Sequence, residues 1–90
     1  MEKIKRLFNL EHKSDLEIQR LNLEIQRLNL FEAIDDDEFE EVKSIITDSL
    51  PHQRKHLLRA TNHLGQNCLH TASMKGAFEI CQWLMSQFIN

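Results

Sequence analysis

Apolar residues recur along most of this chain at three- and four-residue spacings, the signature of helices with one buried face. Ile4, Leu7 and Phe8 stand at i, i+3 and i+4 and predict a short helix over residues 2–10. Glu11–Ser14 breaks that pattern. Ser14-Asp15-Leu16-Glu17 then has the form of a capping box, in which the Ser hydroxyl accepts an amide and the Glu side chain reaches back, so a second helix is expected from Asp15. Strand-forming material is scarce, with one Val and no Tyr, while Leu, Glu, Gln, Arg and Lys dominate and favour helix. The expected fold class is all-α.

Residues 16–22 read LEIQRLN, and residues 23–29 read LEIQRLN again. Whether natural or engineered, a tandem copy of seven residues is most easily tolerated inside a helix. There it adds nearly two turns and rotates the downstream helix by only about 20°, whereas an odd insertion in a strand inverts every downstream side chain. On this helix Ile18, Leu21, Ile25 and Leu28 run at 3-4-3 spacing, with Ile at a and Leu at d of a heptad. Leu16, Leu23 and Leu30 lie on nearly the opposite side, at f. A helix apolar on two faces is expected to pack between neighbours.

Residues 62–85, NHLGQNCLHTASMKGAFEICQWLM, carry a different signal. Gly65 marks a tight turn after Asn62. A short helix begins around Leu69 and Ala72 and ends at Gly76, with Lys75 in its last turn where a cation suits the helix dipole. A further helix comes next, with Phe78, Cys81, Leu84, Met85 and Phe88 expected on its buried face. The stretch resembles an ankyrin repeat, whose pattern is turn-Gly, T-P-L-H-x-A-A, Gly, then E-[IV]-V-x-x-L-L. Gly65, Leu69, His70, Ala72, Gly76, Glu79, Ile80, Leu84 and Met85 fall in that register. Asn67 stands for Thr, Cys68 for Pro, Ser73 for Ala and Cys81 for Val. A weaker copy precedes it: setting Leu30 on Leu69 puts Ala33 on Ala72, Asp37 on Gly76, Phe39 on Phe78, Val42 on Cys81 and Ile45 on Leu84. The offset is 39 residues against the family's 33.

The resulting organisation is an N-terminal helical cap or self-association segment over 1–29, then ankyrin-like units over 30–90. Those divide into a partial repeat at 30–46, a long connection at 47–61 holding one helical turn, and a second repeat at 62–90. The fold expected is ankyrin-like helix-turn-helix units stacked on a lengthened N-terminal helix. Arrays of this kind need several units, because one cannot bury its own face, so either a longer array or self-association is expected to cover the open end.

Charge adds a polarity to this picture. The net charge is −3, with 11 Lys+Arg against 14 Asp+Glu, which does not favour nucleic acid. Residues 32–41 hold seven acids and no base, and residues 52–59 hold three bases and two His. The acidic run lacks the spacing and central Gly of a calcium loop and reads as a solvated turn; the basic run reads as a solvated loop. His52 and His56 at i, i+4 with Cys68 and His70 supply zinc-type donors, but no CxxC or other recurring ligand spacing is present, so no metal and no cofactor are expected. No nucleophile elbow, phosphate loop or metalloprotease motif occurs, so no enzyme is expected. Cys68 and Cys81 are expected as free thiols. No apolar run approaches membrane length and no signal peptide is evident, so a cytoplasmic location without membrane insertion is expected.

What the resemblance implies is recognition of another protein by turn tips and inner helix. Carried over residue by residue, the contacts are His63, Leu64 and Gln66 in the turn and Thr71, Met74 and Lys75 on the inner helix. The resemblance also gives His70 a structural role, its imidazole bonding turn backbone. The alternatives are a helical oligomerisation domain, a homodimer driven by Ile18, Leu21, Ile25 and Leu28, or a chain engineered around its doubled heptad.

Overall fold

A computed structural model describes residues 15–89. The expected helix over 2–10 and the capping residue Ser14 lie outside them. Among the described residues the regular structure is helical: α1 (Asp15–Asp35), α2 (Phe39–Thr47), α3 (Pro51–Arg59), α4 (Cys68–Lys75) and α5 (Phe78–Ile89). Among the described residues, strand-type pairing is limited to an isolated antiparallel bridge between Thr61 and Asn67.

α1 and α2 form one hairpin and α4 and α5 another, and both close by the same device. Asp37 and Gly76 each adopt left-handed backbone, at φ 56° and 70°. The next amide donates back to a buried alanine carbonyl, Glu38 N to Ala33 O (2.9 Å) and Ala77 N to Ala72 O (3.0 Å). The left-handed residue's own amide reaches Ile34 O (3.1 Å) in the first hairpin and Ser73 O (3.1 Å) in the second. This pair of bonds satisfies carbonyls that the helix end would leave bare. Glycine adopts such a φ without penalty, and aspartate is among the side chains that tolerate it. The 39-residue offset read from the sequence therefore recurs in backbone geometry.

α1 packs on α2, α3 and α4, α4 on α5, and α2 on α3 and α5. Leu30, Ile34, Val42, Ile46, Leu57, Cys68, Ala72, Ile80 and Leu84 form the sealed centre. Two expectations are corrected here. The f-position leucines of α1 are not uniformly covered: Leu16 is 57 % exposed, Leu23 half-buried and Leu30 fully buried. Only the C-terminal part of α1 lies in the core, and the described molecule, with the more exposed N-terminal part of α1 included, measures 47 × 25 × 24 Å. On α5 the buried stripe runs through Ile80 and Leu84, while Phe78, Met85 and Phe88 are exposed.

The connection 47–61 is mostly helix α3. Pro51 opens it at the first helical position, where a missing N–H costs nothing. Gln53 Oε1 accepts from the Leu50 amide (3.1 Å). α3 also supplies Arg54, whose guanidinium donates to Ile46 O (3.2 Å), Thr47 O (3.4 Å) and Ser49 O (3.4 Å). α2 has no basic residue in its own last turn; Arg54 provides the missing cation from the next helix. Arg54→Ala is expected to lower stability by about 1–2 kcal/mol, and Arg54→Lys to restore less than half of it, since a compact ammonium cannot span three carbonyls. Thermal unfolding of the two variants measures this.

Candidate functional site: the turn and its concave flank

The turn between α3 and α4 is organised by one side chain. Asn62 Oδ1 accepts from the Leu64 amide (2.9 Å) and the Gln66 amide (3.0 Å). Its Nδ2 donates to Gln66 Oε1 (3.2 Å) and lies 3.5 Å from Thr71 Oγ1. Its backbone N–H donates to Gln66 O (2.8 Å), and Gly65 N donates to Asn62 O (3.0 Å) with Gly65 at φ 78°. A short polar side chain bonding amides two and four residues on mimics backbone and stiffens the loop. His63 and Leu64 are pushed outward at the tip, with Leu64 67 % exposed.

Asn67 caps α4, its Oδ1 accepting from the His70 amide (2.8 Å). This is the position where the family pattern has Thr, and Asn serves an N-cap at least as well. The capping corrects the role expected for His70: the bond at that residue is made by its amide, and the residue is exposed. Thr71 is also relocated. It is buried, and its hydroxyl donates to Asn67 O (3.0 Å), so it serves the turn from inside and presents no side chain to a partner. Gln66 is half-buried, and its Nε2 lies 3.2 Å from Met74 Sδ, tying the turn to α4. Met74 is 68 % exposed, and Lys75 is exposed with Nζ 3.9 Å from Asp35 Oδ1 at the end of α1.

α1 is fastened to the turn by Arg27. Its Nη1 donates to Thr61 O (2.9 Å), and its Nε donates to Glu24 Oε2 (3.1 Å). The guanidinium holds the Glu24 carboxyl below its usual range, by hydrogen bonding first and charge second, and Glu24 in turn raises Arg27. Beside this anchor lies a concavity of about 320 Å³ lined by Arg27, Leu28, Phe31, Asp35, Asn62 and His63. Here the structure brings together two sets of residues that the sequence kept apart. Leu28, from the heptad seam, and His63, from the turn, face the same hollow. Leu21 (43 % exposed), Ile25 (56 %) and Leu28 (54 %) continue from it along α1, and Ile18 is half-buried.

His52 and His56 are exposed on α3, and among the described residues no cluster of three or more His, Cys, Asp or Glu is placed to hold a metal ion. No helix among them is long and apolar enough to cross a membrane. Cys68 and Cys81 are free thiols. Burial pushes the Cys68 thiol up to about 11 from its ordinary 9.0; its Sγ points at Leu58 O (3.8 Å). Between pH 9 and 11 the unfolded chain releases this proton while the folded chain keeps it, so stability falls as pH rises through that window. The size is roughly 2–3 kcal/mol. Cys68→Ala is expected to flatten that part of the profile by this amount, which denaturant melts on both sides of the window read out.

Compared with family models, curated proteins and solved structures, the chain matches none.

Proposed function

We propose that this chain is a non-catalytic protein-binding module of ankyrin-repeat type, whose partner docks on the turn tip, the exposed edge of α4 and the apolar lane of α1. The carrying observation is the stiffened turn. Asn62 and Gly65 hold Leu64 out in water at the tip, Met74 is exposed on α4, and His63 lines the hollow that Leu28 also faces. Large apolar side chains held in water by rigid backbone lose little freedom on binding, which favours affinity. Two hairpins closed by the same left-handed turn at a 39-residue offset support the repeat reading.

A photo-reactive residue in place of Leu64 is expected to cross-link the partner, and the same residue in place of His52 is not. Against that purified partner, Leu64→Asp with Met74→Asp is expected to weaken binding about 100-fold, as two central contacts should, with helicity and melting temperature held. Unchanged affinity refutes the reading.

A second reading is favoured by one observation. The exposed α1 seam of Leu21, Ile25 and Leu28 has the a/d spacing of a two-stranded coil. Under it, α1 of another copy fills the lane. Ile18→Lys with Ile25→Lys then abolishes association while helicity survives, because this part of α1 lies outside the core.

A further inference from the structure

We propose that the hollow between α1 and the last turn of α3 is a binding site for an organic phosphate monoester, its phosphoryl group held by Arg20 and Arg59 and its carbon stem resting on Leu23 and Leu57. This hollow shares only Arg27 with the concavity beside His63, and the proposal stands without the partner-binding reading.

The hollow has a volume of about 450 Å³, within the roughly 300–1,000 Å³ of small-ligand sites. α1 brings Arg20, Leu23, Glu24 and Arg27 to it, at i, i+3, i+4 and i+7, so one face of that helix forms a wall. The opposite wall comes from His56, Leu57 and Arg59 of α3 and from its capping residue Ala60. Leu57 is buried and Leu23 and Ala60 are half-buried, while Arg20, His56 and Arg59 are exposed. An apolar base beneath a few convergent polar groups is the usual make-up of a ligand site.

Charge decides the sign of the ligand. The chain carries −3 overall, yet here three arginines and a histidine meet one glutamate. That glutamate is already committed: both oxygens of Glu24 receive the Arg27 guanidinium, which also donates to Thr61 O (2.9 Å). Arg27 is thereby fixed and neutralised, and it ties α1 to the chain just past α3. Arg20, His56 and Arg59 differ from it: among the described residues, none of the three makes a hydrogen bond or an ion pair. The dipole of α3 accounts for cations in its last turn. It does not account for Arg20, which meets them from the other helix. Arg20 is the counterpart of Arg27 in the doubled LEIQRLN, so the repeat brings one paired and one unpaired arginine to the same wall.

Unpaired guanidiniums on opposite walls suit a compact group with more than one charge and several acceptor oxygens. A phosphate monoester carries about −1.5 to −2 at pH 7 and three strong acceptor oxygens, and the planar arginine fork matches it bidentately. A carboxylate offers one charge and two oxygens. The leucines give the ester's carbons a contact that inorganic phosphate cannot use. A free small molecule and a phosphorylated side chain of a partner present this same chemistry, and the experiment separates them.

The test uses the full chain, with phenyl phosphate as the probe and amide chemical shifts as the signal. Saturable shifts are expected over residues 20–27 and 56–60, with inorganic phosphate binding more weakly and phenol giving none. Arg20→Gln and Arg59→Gln are each expected to weaken binding by roughly 10-fold or more, with the circular dichroism spectrum unchanged. Arg20→Lys is expected to recover less than half of that loss. Lys55→Gln, a base on α3 outside the hollow, and Leu64→Asp at the turn tip are expected to leave the affinity within about twofold. A phosphotyrosine peptide that binds more tightly than phenyl phosphate supports the site and assigns the ester to a partner protein; one that binds no more tightly supports it with a free small molecule as ligand. Four results overturn the proposal: no saturable shifts at millimolar phenyl phosphate, benzoate binding as tightly as phenyl phosphate, shifts spread along the whole of α3, or binding that either Arg→Gln variant leaves intact.

Discussion

Ile34→Ala is expected to remove about 3 kcal/mol of folding stability, while Ile25→Ala, nine residues earlier on the same helix, is expected to change it by less than about 0.5 kcal/mol. Ile34 is fully buried, on the stretch of α1 that meets the other helices. Truncating it deletes three methyl or methylene groups and leaves a cavity that close-packed neighbours fill only in part. Ile25 is 56 % exposed, and its truncation uncovers little. A chain of this size buries a modest fraction of its surface and has a total stability of only about 5–10 kcal/mol, so the first change costs a third or more of it. Urea unfolding followed by circular dichroism separates the two variants. A loss at Ile25 comparable to that at Ile34 would place the N-terminal half of α1 inside a buried interface.

Asn62→Ala carries the second large effect, about 2–3 kcal/mol, together with a loosened turn. The side chain takes two backbone amides and gives its own donors to Gln66 and Thr71. Alanine leaves those partners to water or to nothing, and unpaired half-buried groups cost more than the bonds themselves contribute. Asn62→Asp puts a carboxylate oxygen where the amide oxygen receives the two backbone amides, loses only the Nδ2 donor, and is expected to recover most of the loss. Hydrogen exchange at Leu64 and Gln66 reports the same change locally: in Asn62→Ala both amides exchange faster, and in Asn62→Asp they stay protected.

The second hairpin was legible in the sequence because its punctuation is explicit. Gly65 and Gly76 sit where the backbone turns left-handed, and Asn67 stands immediately before the helix it caps. The first hairpin was legible only by alignment to it, since Asp37 carries no such signal alone. α3 was underestimated for a definite reason. Its two buried residues, Leu57 and Leu58, are adjacent and give no 3–4 spacing, and its charge made it resemble a loop. The available signal lay in Pro51 followed by Gln53, the marks of a helix start.

Thr71 shows the limit of transferring roles by register. The register places it on the inner helix, but its hydroxyl is consumed by the turn. The joining of Leu28 to His63 could not be read at all, because it depends on how far α1 extends past the turn and on Arg27 reaching Thr61, contacts that span 34 residues.

The gradient along Leu16, Leu23 and Leu30, from open to half-covered to sealed, has a consequence for how this molecule can vary. Only the last of the three is needed by the body. Deleting or adding one seven-residue copy would shorten or lengthen the N-terminal part of α1 by about 10 Å and swing its outer face by about 20°, with the globular part left undisturbed. One copy of the motif is therefore worth a fixed length of α1, and the number of copies would set the reach of this helix in steps of about 10 Å.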